Sequence, residues 1–229
     1  MKVKFGSLVV DGRGKIGGHV LSKNRGGAYM RTKVTPINPQ TADQAAVRGT
    51  LTSLSQSWRA LSTAQITAWN NAVQNFQSTD IFGDIKKPSG INLYVKLNSN
   101  LAFAEQATVL SDPPALTTSP VFVDFTATAA AGTPALSIVF TPTPVPADTT
   151  FIIEATAPQS PGKSFLKNQY RKIKVVAAAA TSPNNALAAY VAKFGALVAG
   201  EKIGIRIKAV DNTTGVSGQY NAIEIIIAA

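Results

Sequence analysis

The sequence has no cysteine and a single histidine, His19. The first absence removes disulfides, thiolate nucleophiles and cysteine metal sites, and the second leaves no His pair for metal or general-base chemistry. Acids are scarce too: 12 Asp and Glu stand against 22 Lys and Arg, a net charge of +10. The twelve are scattered, with no carboxylate pair on any helical face, so no catalytic residue, cofactor site or metal site is expected, and neither is an enzyme or a small-molecule substrate. No apolar run approaches the roughly 18 to 20 residues of a membrane span. The start, MKVKFGSLVVDGRGKIGG, lacks the uninterrupted apolar core of a signal peptide, which implies synthesis in the cytoplasm and no membrane partner.

What is present is enough apolar material, 45% of 229 residues, to build a proper core. The strongest local signal is Thr41 to Phe76. Val47, Leu51, Leu54, Trp58 and Leu61 recur at helical spacing, and Ile66, Trp69, Val73 and Phe76 form a second stripe. Thr41 with Gln44, and Ser62 with Gln65, have capping-box spacing, so two helices should meet at Leu61 and Ser62 with both tryptophans buried against each other. A third helix should start at Ser89 and bury Leu93, Tyr94, Leu97 and Leu101. These helices are nearly neutral, and Lys96 alone decorates the third, which argues against a recognition helix in a DNA groove.

The charge is unevenly spread. Residues 1 to 40 hold eight Lys and Arg against one Asp, so most of the surplus lies there. Here short β-like runs, KFGSLVV, KIGGHVLS and AYMRTKVT, alternate with turns at Asp11-Gly12 and Asn24 to Gly27, the pattern of a three-stranded meander. So small and glycine-rich a meander is marginal alone and needs a neighbour to order it. Arg13, Lys15, Lys23, Arg25, Arg31 and Lys33 are the candidate contacts to a phosphate backbone or an acidic protein surface, unless the segment is only a solvated arm. Only Phe5 and Tyr29 lie among them, too few aromatics for recognition by stacking. Gly12 to Gly17 matches the dinucleotide-binding glycine pattern, but a strand-like run follows where a helix should open, and the acidic residue expected about twenty positions on is missing. A turn is the better reading.

Pro113-Pro114 and the following TTSP read as a linker into a β-rich half. VFVDFTA, LSIVFTP, TFIIEAT, YRKIKVVA, KIGIRIKAVD and YNAIEIIIA are expected strands, and NNALAAYVAKFGAL a short helix among them. Ile203, Ile205, Ile207 and Ala209 should face one way, with Lys202, Arg206 and Lys208 facing the other.

IGIRIKAVDNTTGVSG and the final apolar strand resemble the last hairpin of a fibronectin type III or related immunoglobulin-like domain, although Ile203 stands where a tyrosine is usual. That topology implies TFIIEAT between YRKIKVVA and KIGIRIKAVD, with Glu154 near Lys172, Lys174, Arg206 and Lys208, and Glu224 beside the last two. A second resemblance covers about the first hundred residues. GKIGGHVLSKNRGGAYMRTKVTPINPQTADQAAVR with WRALSTAQITAWNNAV is similar to uncharacterised proteins of tailed bacteriophages, which implies a virion component.

The fold expected is α+β in two domains: a basic glycine-rich β arm (1–40) with a helical domain (41–112), then an immunoglobulin-like β-sandwich (113–229). The function expected is a structural part of the virion, made in the host cytoplasm. Its partners would be other virion subunits and copies of itself, with nucleic acid as an alternative contact of the arm.

Overall fold

The computed structural model describes residues 1–4, 6, 12–24, 26–107, 109–115 and 121–229. The run KFGSLVV, the Asp11-Gly12 turn, Arg25 and TTSP lie wholly or partly outside them. Among the described residues the chain is a mixed α+β protein with four helices and several antiparallel sheets.

Residues 12 to 32 form a meander of β1 (Gly14–Ile16), β2 (His19–Asn24) and β3 (Gly27–Thr32), joined in that order. Its strands differ from those expected, because KIGGHVLS is not one strand. Gly17, at φ +54°, and Gly18 turn the chain back so that Ile16 faces His19, a two-residue hairpin that only a residue tolerant of positive φ builds readily. The glycine pattern from Gly12 to Gly17 therefore leads into a β-hairpin, as the sequence suggests. Residues 1 to 3 run beside β3, with Val3 N–H donating to Ala28 O at 3.0 Å and Met30 N–H to Met1 O at 2.8 Å.

Helix α1 (Ala42–Ala60) and helix α2 (Thr63–Ala72) meet at Leu61 and Ser62. At Ser62 the capping box is complete. At Thr41 only half of it forms: the hydroxyl accepts from Gln44 N–H, while Gln44 Oε1 is buried without a partner. A 3-10 turn (Val73–Phe76) follows α2, and a small hairpin of β4 (Ser78–Thr79) and β5 (Ile85–Lys86) occupies what reads as a plain turn. Helix α3 (Gly90–Phe103), capped by Ser89, buries Leu93, Tyr94, Leu97 and Leu101 as its stripe requires.

The two tryptophans do not bury each other. Each packs on Tyr94 of α3, with ring centroids 5.3 Å away in both cases, and Trp69 is fully buried while Trp58 is half-buried. Nor is the whole α1 stripe internal, since Val47 and Leu51 remain 59% and 45% exposed. The cover comes from α3, against which Leu54 and Trp58 pack, and it does not enclose the N-terminal half of α1. The segment after α3 is fastened across the cluster by polar contacts that no periodicity announces. Leu110 N–H donates to Asn98 Oδ1 at 2.7 Å, and Trp69 Nε1 donates to Ser111 O at 2.9 Å.

From residue 124 two antiparallel sheets face each other over one core. One runs β6 (Asp124–Ala130), β7 (Ala135–Thr141), β10 (Asn184–Asn185), and the other runs β12 (Asn221–Ile226), β11 (Lys202–Asp211), β8 (Thr149–Ala155), β9 (Arg171–Val176). Phe125, Leu136, Ile138, Phe140, Phe151, Ile153, Ile203, Ile205 and Ile207 fill the space between them. Helix α4 (Leu187–Phe194), expected from sequence, closes one end through the buried Tyr190, whose hydroxyl donates to Thr156 O at 3.0 Å. The second face of the larger sheet is not a solvated charged surface. Strand β8 is buried throughout, and Ile152 and Val210 pack under Ala104 and Phe103 at the end of α3.

Candidate functional site

The sequence nominates the basic residues of the meander, and strand register sorts them. Directly opposed residues of antiparallel strands share a face. Lys15 opposes Val20, which opposes Arg31, so Lys15 and Arg31 lie on one face in one row. Lys23 opposes Ala28, one residue out of phase with that row, and lies on the other face. Arg13 and Lys33 are exposed just outside the strands, next to Gly14 and Thr32. Arg25 lies outside the described residues. Neither Arg13, Lys15, Arg31 nor Lys33 has a carboxylate partner among the described residues. His19 is exposed on β2.

The β4–β5 hairpin holds residues 2 and 4, which run beside the meander's edge. Asp80, with only 5% of its side chain exposed, takes Lys2 Nζ at 3.1 Å and Lys86 Nζ at 3.5 Å, and its Oδ1 accepts from the backbone N–H groups of Phe82 and Asp84. Burial opposes ionisation of this carboxyl, but the Lys2 hydrogen bond and the two amides outweigh it and hold the group well below the ordinary carboxylate range. Beside it Lys4 pairs with Asp84 at 3.1 Å and lies over the Phe82 ring. Lys2 opposes Tyr29, and Tyr29 opposes Ser22, so Lys2 is on the Lys15–Arg31 face of the sheet. On that side a cleft of about 660 Å³ opens between the meander and the start of α3, with Lys2, Asn24, Lys86, Lys87 and Ser89 in its walls. None of these lysines adjoins the meander cations in sequence, and no local signal joins them.

A second cleft, of about 630 Å³, lies where α1 and α3 meet the larger sheet. Its floor is the uncovered Val47 and Leu51 with Phe103, and its rim carries Arg171, Lys172, Lys193 and Asp43. The rim charges are mostly engaged, Lys193 with Asp43 at 2.7 Å and Lys172 with Glu105 at 2.9 Å.

Behind that rim lies a layer of stacked cations and rings. Arg206 Nε donates to Glu154, and its guanidinium sits 4.4 Å from the Tyr170 ring and 4.1 Å from the Tyr220 ring. Lys208 lies over Tyr220 and Phe103, and burial pushes its ammonium below the ordinary lysine range despite the pull of Glu154. Burial first, then the charge of Glu154, raises Tyr220 to about 12. Of the neighbours expected for Glu154, Arg206 is bonded to it and Lys172 opposes it in register, while Lys174 reaches away to Asn185 O at 2.7 Å. Glu224 pairs with Lys202 at 2.7 Å rather than with Arg206 or Lys208: it opposes Gly204, which Lys202 and Arg206 flank on the same face, and Arg206 is already held by Glu154.

Among the described residues, no three His, Asp or Glu side chains gather as metal ligands do. No helix is long and apolar enough to cross a membrane, again among the described residues. No protein-family model matches the chain, and a search of curated proteins finds no match.

Proposed function

We propose that this chain is a structural subunit of a bacteriophage particle, joined to neighbouring subunits, copies of itself among them, through residues 1 to 40. The observation that carries the reading is a mismatch between structure and burial. From residue 12 to residue 43 no described residue is buried, yet the segment forms three strands and a connector and displays Ile16, Val34 and Ile37 at 65%, 66% and 89% exposure. Exposed apolar side chains in series on ordered backbone are what an interface looks like before its partner is present. The bacteriophage part of the reading rests on the resemblance carried by residues 14–48 and 58–73.

On the same reading the helices form an anchoring domain, and residues 113–229 form an immunoglobulin-like domain displayed from it. Lettering the strands β6, β7, β8, β9, β10, β11 and β12 as A, B, C, C′, E, F and G gives sheets A-B-E and G-F-C-C′, an order compatible with that topology. No catalytic role and no cofactor are part of the proposal. Particles assembled with a chain lacking residues 1–40 test it: the shortened protein should stay folded and fail to incorporate. Normal occupancy of the truncated chain would reject the arm as the anchor, and Ile37→Asp with Val34→Asp should reproduce the defect without removing the lysines.

A further inference from the structure

One face of the meander continues across a sequence gap of more than forty residues into the β4–β5 hairpin. Along β3 that face carries Arg31, Tyr29 and Gly27, alternate residues of one strand. At its outer end Arg31 is joined by Lys15, with Arg13 and Lys33 flanking. At its inner end a Cβ on Gly27 would stand 3.9 Å from Lys86 Nζ, so Lys86 lies over this face, and Lys2 opposes Tyr29 on it. The cleft carrying Lys2, Lys86 and Lys87 is therefore the end of the row that starts at Lys15 and Arg31.

The row is strongly positive after internal pairing. Asp80 is one carboxylate between two ammonium groups, Lys2 and Lys86. Lys87 meets the neutral Gln74 amide at 2.8 Å. From Arg31 to Gly27 is four residues of extended chain, about 13 Å, a length over which one strand of a duplex carries about four phosphates. A second copy of this chain is a poor source of the matching negative charge. Asp43, Asp84, Glu105, Glu154 and Glu224 are each engaged by a cation of their own chain, and the acids without an ion pair, such as Asp112, Asp124, Asp148 and Glu201, lie on different elements.

We infer that the Lys15–Arg31 face of the meander and the Lys2–Lys86–Lys87 cleft form one continuous track for a phosphodiester backbone, and that Lys23 on the opposite face takes no part. The contact is to phosphates and not to base edges, since among the described residues one half-buried aromatic, Tyr29, is all the track offers for stacking. The inference does not depend on the assembly reading: a chain can fail to enter particles and still bind nucleic acid, or the reverse.

The test uses the full chain and a short labelled oligonucleotide, single-stranded in one arm and duplex in the other, with polyglutamate as a third polyanion. Affinity should fall log-linearly with salt. Lys15→Glu with Arg31→Glu, and separately Lys87→Glu, should each flatten that line by about one unit of slope for every phosphate that is no longer bound. Lys23→Glu makes the same charge change as Lys87→Glu, on the other face, and should leave the slope alone. The two nucleic-acid arms say which form the track prefers, and tighter binding of either than of polyglutamate supports it. Equal weakening in Lys23→Glu and Lys87→Glu would mean bulk charge rather than a track. Polyglutamate binding as tightly as nucleic acid would assign the face to an acidic protein, and absence of salt-dependent binding would end the proposal. Circular dichroism checks that the variants fold, and the Gln versions carry the same slope comparison if a Glu variant does not.

Discussion

The carboxylate of Asp80 accepts from the ammonium of Lys2 at 3.1 Å, across 78 residues of sequence. Through this hydrogen bond the first residues, and with them the edge of the meander, are held against the hairpin that follows the helices. Asp80→Asn should loosen that hold. The expected result is weaker amide protection at Val3 and Met30, which bond across the edge of β3, with protection in α3 unchanged.

The same ion pair has a predictable pH dependence. Asp80 titrates in the folded chain below its ordinary value of 3.8, so its stabilising contribution is fully present above that value and is lost as the pH falls below it. Protection at Val3 and Met30 should therefore hold at mildly acidic pH and decline only below the ordinary carboxylate value. In Asp80→Asn this acid step should disappear.

Trp69 is the aromatic centre of the helical core, and Trp58 is its half-exposed counterpart, both resting on Tyr94. Trp69→Ala should cost about 3–5 kcal/mol in urea unfolding, the range for large aromatic truncations in cores, and Trp58→Ala clearly less. Emission should separate them: Trp58→Phe leaves a blue-shifted spectrum from Trp69, and Trp69→Phe leaves a redder one.

Glu154 and Arg206 pair on a covered sheet face, with side chains 7% and 22% exposed. An exposed cross-strand pair contributes only about 0.2–1 kcal/mol, but removing one partner of a buried pair strands the other charge and costs about 3–5 kcal/mol. Glu154→Ala should fall near the larger figure, and Glu154→Ala with Arg206→Ala should recover part of it. Equilibrium unfolding of the single and double variants reads both numbers.

Gly215, at φ +69°, approaches Leu97 of α3 so closely that a Cβ would stand 2.9 Å from the Leu97 carbonyl carbon, while Asn100 Nδ2 donates to Gly215 O at 2.9 Å. Gly215→Ala should cost about 1–3 kcal/mol, since both the backbone angle and the close approach resist a side chain. A fragment of residues 113–229 removes α3 altogether and uncovers Ile152 and Val210. It should self-associate in sedimentation.

Much of this chain is written in local signals. The six long strands after residue 120, the caps at Ser62 and Ser89, the short helix at Leu187–Phe194 and the inward set Ile203, Ile205, Ile207 and Ala209 follow from a period of two, a period near 3.6 and short-range hydrogen bonds. The clustering of cations before residue 40 is equally plain in the sequence. Such signals fix which residues share a face, because the backbone geometry that sets the period is the same in every chain.

What covers a face is a long-range matter that no period encodes. Only the tertiary structure places Phe103 and Ala104 on the outer side of β8 and β11, turning expected surface charges into a stacked layer of Arg206, Lys208, Tyr170 and Tyr220 in which Lys208 is buried. Only the way α3 crosses α1 leaves Val47 and Leu51 outside the core, on the wall of a cleft. The basic face is half legible: its residues are visible in the sequence, but their sides depend on the turn at Gly17-Gly18, since a slip of one residue in register would exchange the faces. Lys2, Lys86 and Lys87 join that face only because Asp80 draws the chain start onto a hairpin that lies beyond two helices.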